Sequence, residues 1–123
     1  MSTIKFKDCL ELNAAIGSCV NKGLEVQSIL SLIDFKDELQ ANVDKYKKAL
    51  KDVMDSYEIT DVNGNFSWAD NENKDAISQK VSELLESDVE MSTTNTIPDS
   101  EIVKLTEGMN INSISFLRKY LKK

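Results

Sequence analysis

Four oxygen-bearing side chains, Asp61, Asn63, Asn65 and Glu72, stand at places 1, 3, 5 and 12 of the stretch Asp61-Val-Asn-Gly-Asn-Phe-Ser-Trp-Ala-Asp-Asn-Glu72. Helix-loop-helix sites use that spacing to wrap calcium, with the final glutamate binding through both oxygens. Trp68 takes the apolar eighth place. The sixth place needs glycine for its sharp turn, and here it holds Phe66. Glycine stands two places earlier, so that Asn63-Gly64 falls between Tyr57–Thr60 and Phe66–Trp68. Asn-Gly is the preferred pair of a type I′ hairpin turn. Only two of the four ligands are carboxylates and no second loop accompanies them, so calcium affinity would be low. The stretch is expected to be a corner between two helices, with Tyr57, Phe66 and Trp68 gathered as an aromatic cap. A low-affinity calcium-binding module is the lesser reading.

Other chemistries find few residues. The chain has no histidine, which removes Ser-His-Asp and Cys-His nucleophilic sites and histidine-ligated metal centres. Cys9 and Cys19 are ten positions apart in what reads as one helix, about 15 Å at helical rise and too far for a disulfide. They read as small core residues of a reducing compartment. No carboxylate pair stands out from the solvated ones. A non-enzyme is expected, with no catalytic, cofactor or metal residue assigned.

Charge is unevenly spread. Residues 52–107 carry 14 Asp and Glu against 3 Lys, a balance of −11 within a net −6. Residues 1–51 are near neutral, and residues 108–123 carry four basic residues and no acid. An acidic middle opposes binding to nucleic-acid phosphates. It reads either as a solubilising surface or as a face that docks on a basic protein.

The elements that would position these groups are mainly helical. Lys7–Lys22 reads as an amphipathic helix through Cys9, Leu12, Ile16 and Cys19, ending near Lys22-Gly23. Leu32, Phe35, Leu39, Val43, Tyr46, Leu50, Val53 and Tyr57 recur at spacings of 3 and 4. That is one coiled-coil-like seam, close to 40 Å of helix, with a start as early as Leu24 and with Ile29 and Ile33 broadening the apolar stripe. It suits an intramolecular helical hairpin, or else a homo-oligomer or partner contact through Leu32–Tyr57.

Asp70–Ser87 reads as a further helix capped by Asp70 or Asn71, burying Ile77, Val81, Leu84 and Leu85. Asp88–Ser92 alternates as a short strand, pairing with Tyr57–Thr60 or Phe66–Trp68. Thr93–Thr96 is a polar loop. Pro98 opens a short helix with Ile102, Val103 and Leu105 on its apolar side, ended by Gly108. Asn112 or Ser113 caps a last helix with core positions Ile114, Leu117 and Leu121 and a basic end, Arg118–Lys123. The expected fold is mainly α, a single helical domain over residues 1–123. It is a three-helix bundle on one long amphipathic helix, with a small β-hairpin or short antiparallel ribbon between helices.

The order of these segments carries a resemblance. Tyr57 is followed by Asp61-Val-Asn-Gly-Asn-Phe66 and by Glu83-Leu-Leu-Glu-Ser-Asp-Val-Glu-Met91. Ile97-Pro-Asp-Ser-Glu-Ile102 and Ser113-Ile-Ser-Phe-Leu-Arg-Lys-Tyr-Leu121 complete the order. Over residues 39–121 the chain resembles a family of small uncharacterised proteins of tailed bacteriophages and prophages. It departs from them in the polar Thr93–Thr96 loop, and its first 30 residues are unplaced.

The resemblance implies a viral protein with no catalytic residues, placed in the virion or the bacterial host cytoplasm. The function expected is protein–protein contact in virion structure or assembly, with inhibition of a host or anti-phage defence protein through the acidic face as the alternative. The N-terminus has no apolar secretory segment and no run approaches the roughly 20 residues of a membrane span. Neither nucleic acid nor membrane is expected as a partner.

Overall fold

One helix of 31 residues, Val26–Ser56, organises the chain. Its apolar residues recur every three or four positions, and its interior contains neither glycine nor proline to interrupt the hydrogen-bond ladder. A computed structural model describes residues 2–17, 19, 23–91 and 97–121. Among these the order is β1 (Ser2–Lys5), α1 (Phe6–Gly17), α2 (Val26–Ser56), α3 (Lys74–Leu85), β2 (Asp88–Met91), α4 (Asp99–Leu105) and α5 (Ile111–Leu121). The fold is mainly helical, built on one long amphipathic helix with a small antiparallel ribbon, as the periodicity predicts. The five described helices fall on the five segments read as helical from the sequence, the last two of them short.

The seam on α2 is spent inside the chain. Leu32, Phe35, Leu39 and Val43 are buried with Phe6, Cys9, Leu12 and Ile16 of α1. Ile4 and Val89 of the ribbon, with Met91, Ile97, Ile102, Leu105, Leu117 and Leu121, complete this main core. The Phe6 and Tyr46 rings pack with centroids 5.7 Å apart, and the Cys9 thiol lies 3.8 Å from the Leu39 carbonyl oxygen it donates to. A helical hairpin, α1 on α2, thus uses the face that could have served a second copy.

The ribbon corrects an expectation. The strand at Asp88–Met91 forms, but its partner is Ser2–Lys5, in the register Ser2↔Met91, Thr3↔Glu90, Ile4↔Val89 and Lys5↔Asp88. Neither Tyr57–Thr60 nor Phe66–Trp68 is a strand. Lys5 and Lys7 close the end of the ribbon by gripping Glu86, each at 2.7 Å.

Several boundaries also move. The first helix ends at Gly17 rather than running through Cys19, and Val20 and Lys22 lie outside the described residues. The third helix begins at Lys74, not Asp70, because Asn71 is used in a turn, its side-chain oxygen accepting from the Asn73 amide at 2.8 Å. In α4, Val103 points outward at 67% exposure while Glu101 is buried at 4%. The cap of α5 is Asn110, whose oxygen accepts from the Ser113 amide at 2.9 Å, rather than Asn112 or Ser113; Ile114 is half-buried. Ser92, the Thr93–Thr96 loop and the terminal Lys122–Lys123 lie outside the described residues.

Candidate functional site

The corner between α2 and α3 is built by local hydrogen bonds. Helix α2 stops in a Schellman motif: the Ile59 amide donates to the Met54 carbonyl at 2.9 Å and the Glu58 amide to the Asp55 carbonyl at 3.1 Å. Glu58 takes the left-handed place usual for glycine, at φ 58°. Five residues on, Asn63 and Gly64 have φ 54° and 82°. Val62 and Asn65 exchange both backbone hydrogen bonds across them, at 2.9 and 3.1 Å. Two adjacent positive φ values inside a doubly bonded pair define the type I′ hairpin.

The four oxygen residues are placed accordingly. Asn63 sits at the hairpin tip and Asn65 on its far side, its amide donating to the Asn63 carbonyl at 3.4 Å. Asp61, Asn63, Asn65 and Glu72 are exposed. Phe66, at the place where an ion loop needs its sharp turn, packs instead against Met54, Ile59 and Ile77, together with Tyr57 and Trp68. The Trp68 ring nitrogen donates to the Ser78 hydroxyl at 2.9 Å, tying the hairpin to α3. The aromatic cap expected at this end of the bundle is present. Among the described residues no group of three His, Cys, Asp or Glu side chains is arranged to hold a metal ion.

The cysteines are structural in placement. Cys9 is fully buried, and burial raises its thiol to about 11. Cys19, outside α1, is half-buried with its thiol also raised by burial. Neither is poised as a thiolate.

The acidic surface is partly committed. Hydrogen bonds from Lys5 and Lys7 hold the Glu86 carboxyl down to about 2. Glu101 accepts from the Glu25 amide at 2.7 Å at the start of α2, which lowers its pKa, and it meets Lys104 at 3.2 Å. Lys104 in turn donates to the Gly23 carbonyl at 3.3 Å. At the basic end, Arg118 pairs with Asp99 at 3.0 Å.

A second apolar surface lies on the far side of α2, and it takes Ile33, which is expected to broaden the buried seam but faces solvent instead. At about 100° per residue, Val26, Leu30 and Ile33 fall within a sector roughly 60° wide, opposite the core positions Leu32, Phe35 and Leu39. They are 72%, 51% and 48% exposed. The same face continues through Asp37, Gln40 and Asp44, all polar. Their 4 and 3 spacing was available in the sequence, but the stronger buried seam on the same helix masked it.

Comparison with protein-family models, curated proteins and solved structures finds no match. Among the described residues, no helix is long and apolar enough to cross a membrane.

Proposed function

We propose that this chain is a non-enzymatic protein of a tailed bacteriophage that acts through protein–protein contacts, as a virion component or assembly factor. The observation that carries the reading is the Val26–Leu30–Ile33 stripe, three large apolar side chains at the solvent face of the organising helix. Apolar residues clustered in this way favour burial against a partner. The inward seam of α2 is filled by α1, so the outer stripe is the face of this helix left for another molecule. The phage context comes from the resemblance over residues 39–121.

The test replaces Leu30 and Ile33 together with glutamate. Both sites are exposed, and glutamate is a good helix former, so helicity by circular dichroism should hold. Light scattering coupled to size exclusion, and co-purification with virion proteins from infected cells, then read the contact. The parent should associate and the double variant should not. A parent that stays a monomer and never co-purifies with virion proteins refutes the proposal.

The alternative, an inhibitor that covers a basic surface of a host or defence protein, draws on the −11 balance of residues 52–107. Glu86 is already paired with two lysines, so its reversal would disturb the fold as well as any docking. The discriminating variant is Glu83→Lys with Glu90→Lys. Inhibition that persists unchanged in that folded variant removes this alternative.

A further inference from the structure

We propose that Asn63-Gly64 is a site of spontaneous covalent modification that converts the hairpin tip from an amide to an acid. The reaction is intramolecular. The Gly64 backbone nitrogen attacks the side-chain carbonyl carbon of Asn63, a new C–N bond closes a five-membered imide, and the old C–Nδ2 bond breaks. Ammonia leaves, its third hydrogen coming from the Gly64 N–H through solvent. Water then adds to one of the two imide carbonyls, giving aspartate or its β-linked isomer, isoaspartate. Water is the only co-reactant, and no electrons are transferred.

Three observations single out this asparagine. Both residues are exposed, and among the described residues neither the Asn63 carboxamide nor the Gly64 N–H makes a hydrogen bond. Nothing lies within 4 Å of the position a Gly64 side chain would occupy, so the hairpin tip is open on that side. Asn42, Asn71 and Asn110 are each held by a hydrogen bond and followed by a bulkier residue than glycine. Asn42 donates to the Glu90 carbonyl and precedes Val43. Asn71 and Asn110 accept from the Asn73 and Ser113 amides, and precede Glu72 and Ile111.

The two products differ in consequence. Aspartate keeps the turn, because Asp-Gly also suits type I′ geometry. Isoaspartate inserts an extra carbon into the backbone between the two positive-φ positions, which breaks the Val62–Asn65 pair and loosens Phe66 and Trp68 from the corner. The hairpin tip is in effect a slow chemical timer for the aromatic cap.

The test incubates the full chain at mildly alkaline pH and maps asparagine-containing peptides by mass. The expected result is an amide-to-acid mass gain at Asn63 before any other described asparagine, with isoaspartate detected by an isoaspartyl methyltransferase. Trp68 fluorescence should shift in step with the isoaspartate fraction. Asn63→Asp, which lacks the leaving amide and keeps the hairpin, should show neither the mass gain nor the shift over the same period. An Asn63 that stays intact, or converts no faster than Asn71 or Asn110, overturns the proposal.

Discussion

The main core and the aromatic corner differ in how far apart along the chain their residues lie. The main core joins Ile4 and Phe6 to Leu117 and Leu121 and draws on six elements in all. The corner gathers Met54, Ile59 and Ile77, with Leu50, Tyr57, Phe66, Trp68 and Val81 around them, all from one stretch of about thirty positions. Both rest on α2, the main core up to Tyr46 and the corner from Leu50 onward. The corner has three fully or nearly buried side chains where the main core has sixteen. Less buried apolar surface means less free energy against opening. The corner should therefore open locally before the rest unfolds.

Breaking the main core should have the largest effect. Leu39→Ala removes a side chain with no exposure from the α1–α2 contact and is expected to cost about 2–5 kcal/mol. Denaturant unfolding followed by circular dichroism and by Trp68 fluorescence should shift together in this variant. Ile77→Ala should cost about 2 kcal/mol, at the low end because an open corner relaxes more easily. Here the Trp68 signal should move to lower denaturant while the helical signal lags. Coincident transitions in Ile77→Ala would mean that the two regions unfold as one unit and that the corner does not open first.

Backbone changes at the corner sharpen the picture with smaller effects. Gly64→Ala puts a side chain at φ 82° and should destabilise by about 1 kcal/mol, again seen first at Trp68. Glu58→Gly, at φ 58° in the Schellman motif, should stabilise by about 0.5–1 kcal/mol by relieving the left-handed position. Amide exchange at Ile59 and Asn65 would slow in that variant; an unchanged rate would show that the corner opens elsewhere.

The smallest effect is the pH response of the clamp between the ribbon and α3. Glu86 titrates near 2 in the fold against an ordinary 4.5 because Lys5 and Lys7 donate to it. Its folded value is depressed, so its contribution is present above about 4.5 and is lost as pH falls toward 2. All three side chains are 44–47% exposed, which keeps the contribution small. The melting temperatures of the parent and Glu86→Gln should converge over that window. A gap that stays constant to pH 2 would show that the clamp does not titrate with Glu86.

The parts legible in the sequence are those whose cause is local. The 3 and 4 spacing from Leu32 to Tyr57 marks a helix because each apolar residue returns to one face every turn. Asn63-Gly64 marks its hairpin because few other pairs accept two left-handed residues in succession. Pro98 with Asp99 and Glu101 marks the start of α4 in the same way. The Schellman stop at Glu58 carried no such mark, since the left-handed place holds no glycine. The N-terminal strand Ser2–Lys5 was missed because four residues leading straight into a helix have no periodicity of their own.

By itself, then, the sequence determined the long helix, the corner and the strand at Asp88–Met91. Tertiary structure alone decided that this strand pairs with Ser2–Lys5, some 86 positions away, and that Glu101 rather than Val103 turns inward to meet the first turn of α2. It also decided that the outer stripe of α2 stays bare while the inner one is filled. Local choices are set by backbone conformation and turn chemistry within a few residues. The choice of partner for a strand, or of which helix face is covered, depends on which distant surfaces bury the most apolar area together.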